Sequence, residues 1–346
     1  MTNGEILAVR DLQVHYVTDD GVAKALNGVN LSLARGETLG LVGETGAGKT
    51  TTALAIMNLI AKPQGRIIGG EVRVEGTDIL ATSERDMEGL RGQLMSMIFQ
   101  DPMTALNPVL SVGDQIGEVI GIHQGLSKRD SSLKASDMLR TVGIDPGRAG
   151  EYPHQFSGGM KQRVGIAMAL ACHPKLLIAD EPTTALDVTI QAQVLALIGA
   201  LKKELTMSVL LITHDLGIVA QMCDDVAIMY AGRIVEFGSR EDIFRHHRHP
   251  YTEGLFNSLP RIGDRKSKLK PIRGLMPDPF NLEPGCPFAE RCDHAMERCR
   301  SAKPEPRYFG DRHFAECHLF DPGRAPGVAV PGETGGGAAS SGKGLS

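Results

Sequence analysis

Short apolar runs alternate with helix-period stretches along the first two-thirds of the chain. Leu39–Val42, Leu176–Ala179 and Val209–Thr213 are runs of the buried-strand type. Each is preceded or followed by a helical pattern, such as Thr51–Ile60. This βα alternation predicts a mostly parallel sheet covered on both faces. Leu7–Val14 and Gly70–Val74 alternate only partially and predict strands of a separate antiparallel layer. Residues 102–168 are helical in pattern, with turn signals at Asn107-Pro108, Gly143 and Pro146-Gly147. They predict a helical insertion between two core strands of a domain spanning 1–245. Beyond it the texture changes. Pro250, Pro260, Pro271, Pro277, Pro279, Pro284, Pro287, Pro304 and Pro306 come too often for long regular elements. Residues 246–321 therefore predict a loop-rich extension. The Gly-, Ala-, Ser- and Pro-rich stretch 322–346 predicts a disordered tail.

Composition narrows the class. The chain has 346 residues, 42% hydrophobic and 23% charged, which excludes disorder throughout and a small disulfide scaffold. The best apolar stretch, Met207–Met222, is broken by His214 and Asp215, so no transmembrane helix is expected. The opening MTNGEILAVRD has no basic or apolar leader region, and no secretory signal is expected. A net charge of −4, ten Phe, five Tyr and no Trp argue against a dedicated nucleic-acid binder. Of six cysteines, Cys172 and Cys223 stand apart, while Cys286, Cys292, Cys299 and Cys317 gather in the extension. In a reducing compartment such a group reads as a metal or cluster site before it reads as disulfides.

The chemistry begins after the first apolar run. Gly43, Glu44, Thr45, Gly46, Ala47, Gly48, Lys49 and Thr50, followed by Thr51, fit G-x-x-x-x-G-K-[ST]. Glycines let backbone N–H groups curl round phosphate oxygens, and the following helix adds its dipole. Lys49 suits the β- and γ-phosphates and Thr50 suits Mg²⁺. Leu176–Ala179 ends in Asp180 and Glu181, one carboxylate for Mg²⁺ and one as general base. Gln100 and His214 each follow a further strand-type run. Ser157, Gly158 and Gly159 open a helical pattern, and Ala185-Leu186-Asp187 follows the acidic pair. Singly, most of these are ordinary loop residues. Their joint order is specific.

In that order the sequence resembles the ATP-binding-cassette ATPases over about residues 6–245. The resemblance implies an α/β P-loop NTPase fold: a RecA-like parallel core, an antiparallel β layer and a helical subdomain at about 102–168. It implies ATP with Mg²⁺, held by the phosphate loop, Thr50, Gln100 and Asp180. It gives catalytic roles to Glu181, His214 and Gln100, and places Asp187 at a dimer interface. Tyr16 is the candidate to stack on adenine. Ser157, Gly158 and Gly159 would serve the nucleotide of a second cassette, so the chain alone should be a poor ATPase. Met160 stands where the family most often has Gln.

The thiol spacing in the extension, C-x5-C-x6-C-x17-C, suits Zn²⁺ or an iron–sulfur cluster. The lack of a C-x-x-C pair argues against a zinc knuckle, and His294, His313 and His318 are further candidate ligands. His249-Pro250-Tyr251-Thr252, Ser258-Leu259-Pro260, Gly285-Cys286-Pro287-Phe288, Arg291-Cys292 and Glu316-Cys317-His318 resemble the C-terminal region of ATPase subunits from dipeptide and oligopeptide importers. That resemblance implies a [4Fe–4S] cluster on the four cysteines, with zinc as the alternative. It implies a peripheral subunit on the cytoplasmic face of the cell membrane. Its partners would be a related ATPase subunit, two transmembrane permeases and an extracytoplasmic solute-binding protein, with no nucleic acid. Nickel, glutathione or another small solute are alternative cargoes. A soluble ATPase acting on DNA or ribosomes is disfavoured by the single cassette, the missing heptads and the acidic balance. A non-hydrolysing regulatory module is disfavoured by the presence of Glu181 and His214.

Overall fold

The computed structural model describes residues 4–101, 105–184, 186–258 and 270–322. Pro102, Ala185, Pro260 and residues 323–346, and with them the expected tail, lie outside the described residues. The chain forms two compact units. One takes residues up to Ile234 together with Asp278–Phe280; the other takes Val235–Pro277 and the chain from Asn281 onward.

The first unit has two sheets. In the antiparallel one, β1 (Glu5–Thr18) pairs with β2 (Gly21–Ala34) on one side and β4 (Gly65–Val74) on the other, and β5 (Thr77–Asp78) extends β4. Leu7, Val9, Leu12 and Val14 of β1 are buried, as the partial alternation required. In the parallel sheet, β3 (Thr38–Val42) lies between β8 (Ser208–Thr213) and β9 (Asp225–Tyr230). Beyond β8 come β7 (Leu176–Asp180) and β6 (Met95–Ile98). Every residue of these five strands is buried, which is why they read as continuous apolar runs rather than alternating ones.

This strand order fixes the site. β3, β8, β7 and β6 are parallel neighbours, so Val42, Thr213, Asp180 and Ile98 end on one edge of the sheet. Adjacent strands sit about 4.8 Å apart, so whatever follows these four residues is gathered along one short row. The residues that follow are the phosphate loop, His214, Glu181 and the Phe99-Gln100 pair.

Helix α1 (Lys49–Ile56) follows the phosphate loop, and α2 (Glu84–Gln93) precedes β6. Between β6 and β7 run α3 (Val112–Gln124), α4 (Lys128–Thr141) and α5 (Gly158–Leu170). Ser83, Ser111 and Ser127 cap α2, α3 and α4, each accepting from the backbone N–H of an Asp three residues on. After β7 come α6 (Val188–Leu205) and α7 (Leu216–Met222).

The second unit is built on short elements, as its prolines predicted. From β10 (Arg233–Ser239), Glu236 and Phe237 pair with β12 (Phe314–Glu316), which also pairs with β11 (Pro306–Tyr308). The unit also contains helices α8 (Arg240–His246), α9 (Pro250–Asn257) and α10 (Glu297–Ser301). The core is polar at its centre. Glu236 is fully buried and accepts from the backbone N–H groups of Arg248 (2.6 Å) and His249 (3.0 Å) and from Thr252 Oγ1 (2.5 Å). His313 Nε2 lies 3.0 Å from its other side.

Candidate functional site

The loop after β3 turns tightly because two glycines leave room. A side chain on Gly43 would meet the Met229 carbonyl at 2.3 Å. Gly48 has φ +106°, and a side chain there would strike the Ala25 carbonyl at 2.9 Å. Lys49 is buried and donates to the Gly43 and Glu44 carbonyls at 2.7 and 3.1 Å. Burial lowers its pKa, while the negative charges of Glu181, Asp180 and Glu44 oppose the drop. Thr45, Gly46 and Thr50 are exposed at the loop's open face.

Asp180 closes β7 and is 1% exposed, and its Oδ1 has no hydrogen-bond partner. Burial raises its pKa and the neighbouring Glu181 adds to that; a hydrogen bond from Thr50 and the charge of Lys49 work against both. A buried carboxylate with a free oxygen, next to a hydroxyl and with little else to satisfy it, is suited to a divalent cation.

Glu181 stands in the left-handed region, φ +45°, and its N–H donates to the Ile212 carbonyl at 2.9 Å. This turns its carboxylate back along the row of strand ends. Gln100 Nε2 donates to it at 3.0 Å, Thr184 Oγ1 at 2.9 Å, and His214 Nδ1 lies 3.2 Å away. Burial would raise this carboxyl, but the hydrogen bonds from His214 and Thr184 and the charges of His214 and Lys49 outweigh it and hold it low. Glu181 is therefore ionised near neutral pH and oriented by three side chains.

These groups open into a pocket of about 480 Å³. One end is Thr45, Gly46, Gly48, Lys49, Thr50 and Thr51, with Gln100, Glu181 and His214 beside them. The other is Tyr16, Ala23, Ala25 and Pro279. A polar, phosphate-sized end joined to an apolar end matches a nucleotide in dimension and chemistry.

Comparison with known proteins agrees. The ABC transporter family matches residues 26–184, and the oligopeptide/dipeptide transporter C-terminal region matches residues 235–299. The dipeptide transport ATP-binding protein DppD of Bacillus subtilis is 49% identical, over 92% of this chain and 95% of the relative. The chain belongs to the ABC transporter ATPases. The oligopeptide transport ATP-binding protein OppD of Salmonella typhimurium is 50% identical, over 86% of this chain and 89% of the relative. The solved structure of cbiO1 from Clostridium perfringens, part of the ABC transporter complex cbiONQ, superposes with a TM-score of 0.60 at 30% identity. It covers 70% of this chain and 92% of that one. As a member of this family, the chain is an ATPase coupled to transport.

In this ABC ATPase the remaining expected residues stand away from the pocket. Ser157 caps α5, accepting from the Met160 N–H, and Asp187 caps α6, accepting from the Ile190 N–H at 3.0 Å. The two turns meet: a side chain on Gly159 would lie 2.5 Å from Ile190 Cγ2. Ser157, Gly158, Gly159 and Asp187 thus form one cluster, and none of them lines the pocket. Thr184 was not anticipated, because a Thr three residues beyond an acidic pair carries no signal of its own.

In the second unit, Cys299 and Cys317 are buried and Cys286 and Cys292 half-buried, all free thiols. Burial pushes Cys286 and Cys317 up to about 12 and Cys292 up to about 11; Cys299 adds to each rise, and Cys292 adds to those of Cys286 and Cys317. Among the described residues, no group of three or more His, Cys, Asp or Glu is placed to hold a metal ion. The candidate ligands His313 and His318 are engaged elsewhere. His313 faces Glu236, and His318 faces Asp321 Oδ2 (2.7 Å) and the Ala302 carbonyl (2.9 Å).

Proposed function

We propose that this chain is the ATP-hydrolysing subunit of a membrane importer of di- and oligopeptides. The observation that carries the reading is the single row of strand ends holding Lys49, the half-satisfied Asp180 and the oriented Glu181. In that row Lys49 and the loop N–H groups bind the phosphates. Thr50, Asp180 and Gln100 hold Mg²⁺, which neutralises charge on the phosphate oxygens when bound. Glu181 accepts a proton from the attacking water, His214 contacts the γ-phosphate side, and Tyr16 packs on the base.

The cluster of Ser157, Gly158, Gly159 and Asp187 completes the site of a second, related ATPase subunit, so turnover needs the pair. Two transmembrane permeases and an extracytoplasmic solute-binding protein complete the assembly. No helix among the described residues is long and apolar enough to cross a membrane, which suits a peripheral subunit on the cytoplasmic face. The names of the relatives and the matched C-terminal region support peptide as cargo. Reconstituted transporter should show ATP-dependent uptake of labelled di- or oligopeptide; uptake of nickel or glutathione instead would replace the cargo.

The four thiols are proposed to hold a [4Fe–4S] cluster. The matched C-terminal region supports this reading, and so does the Cys286 N–H, which donates to the Cys299 carbonyl at 2.7 Å and brings two of the four cysteines together. Binding thiolates would reverse the high pKa values by supplying positive charge, releasing protons. Anaerobic purification with iron, sulfide and zinc assays tests this; stoichiometric zinc without iron would overturn it.

A further inference from the structure

The apolar end of the nucleotide pocket is not made by the cassette's contiguous chain alone. Asp278–Phe280 belongs to the first unit, although both its flanks belong to the second. It is tied down there. The Pro279 carbonyl accepts from the Lys24 N–H of β2 at 2.9 Å. The Phe280 N–H donates to Asp278 Oδ1 at 2.9 Å, and Phe280 lies 3.5 Å from where a side chain on Gly21 would stand. Proline has no N–H, so it suits this one-sided pairing at a strand edge.

The position along the pocket follows from the strand. Ala25 abuts the phosphate loop through its carbonyl at Gly48. Ala23 is two residues further out, on the same face, and registers with Tyr16. Pro279, bonded at Lys24, stands between them and lines the same pocket. We propose that Pro279 is a nucleotide-binding residue, an apolar wall for the base supplied by a loop of the C-terminal region. This rests on the pocket being the ATP site. The small side chains of Ala23 and Ala25 leave the space, Tyr16 offers a ring, and the pyrrolidine ring adds apolar area that the triphosphate never touches.

The test separates base from phosphate. ATP and inorganic tripolyphosphate are titrated into full-length wild type, Pro279→Gly and Pro279→Ala. Pro279→Gly should weaken ATP about fivefold, with a smaller loss for Pro279→Ala. Tripolyphosphate affinity should stay unchanged in both. Unchanged ATP affinity, or an equal loss for both ligands, would overturn the proposal. Failure of wild type to bind either ligand would overturn the ATP reading beneath it. Independently of any variant, photolysis of bound 8-azido-ATP should label the peptide carrying Pro279. Label confined to the peptides of Tyr16 and the phosphate loop would contradict it.

Discussion

Asp180 and Glu236 are buried to the same depth, one in each unit, and their surroundings differ in kind. Glu236 has three donors and the His313 Nε2 within 3.0 Å, covering both of its oxygens. Asp180 keeps one buried oxygen without a partner. Burying a carboxylate is unfavourable unless hydrogen bonds replace its water. Saturation marks Glu236 as part of the scaffold that organises α9 and β12. The unpartnered oxygen of Asp180, beside Thr50 and Lys49, is what supports the proposed cation site.

Substitutions should break this comparison in opposite directions. The largest effect is expected at Lys49: Lys49→Ala should weaken ATP binding about a hundredfold or more, with the melting temperature little changed. Asp180→Asn should lower Mg²⁺-dependent turnover of the assembled complex about a hundredfold. Its stability should hold or rise, because a buried charge is removed. A large loss of stability in Asp180→Asn would erase the contrast. Glu236→Gln should do the reverse, destabilising the second unit by about 3 kcal/mol while leaving ATP affinity intact, as read by denaturant titration and calorimetry.

The smallest expected effect sharpens the scaffold side. His249 caps α9, accepting from the Tyr251 N–H at 3.0 Å. Burial lowers its pKa to about 4, and the charge of Glu236 opposes the drop only in part. The unfolded chain takes up this proton below 6.5 and the folded one only near 4. Stability is therefore full above 6.5 and falls as pH drops toward 4, by on the order of 1 to 2 kcal/mol near pH 5. His249→Asn keeps a capping acceptor and should flatten that slope in melts across this range.

The row of strand-end residues was legible in sequence because each member follows a fully buried strand, and such strands announce themselves as apolar runs. The antiparallel layer was legible only in part. β2 carries Gly21, Lys24, Asn27, Gly28 and Asn30 among its apolar residues, and its alternation is too broken to stand out. β9 is a fully buried run of the same kind, but no motif residue follows it to draw attention to it. In the second unit the short elements were foreseen from proline frequency. Its buried centre was not: Glu236 and His313 are 77 residues apart and meet only through folding. His313 and His318, candidate ligands in sequence, are held by the carboxylates of Glu236 and Asp321. Pro279 carries no signal of its own in sequence; its bond to Lys24 and its place on the pocket wall arise only on folding.

Glu181, held by Gln100, Thr184 and His214, is the proposed base that turns ATP over. Phosphate release by the assembled complex carrying Glu181→Gln measures this most directly. ATP should stay on the complex with phosphate release at background. Release at the wild-type rate, with ATP affinity unaltered, would contradict it.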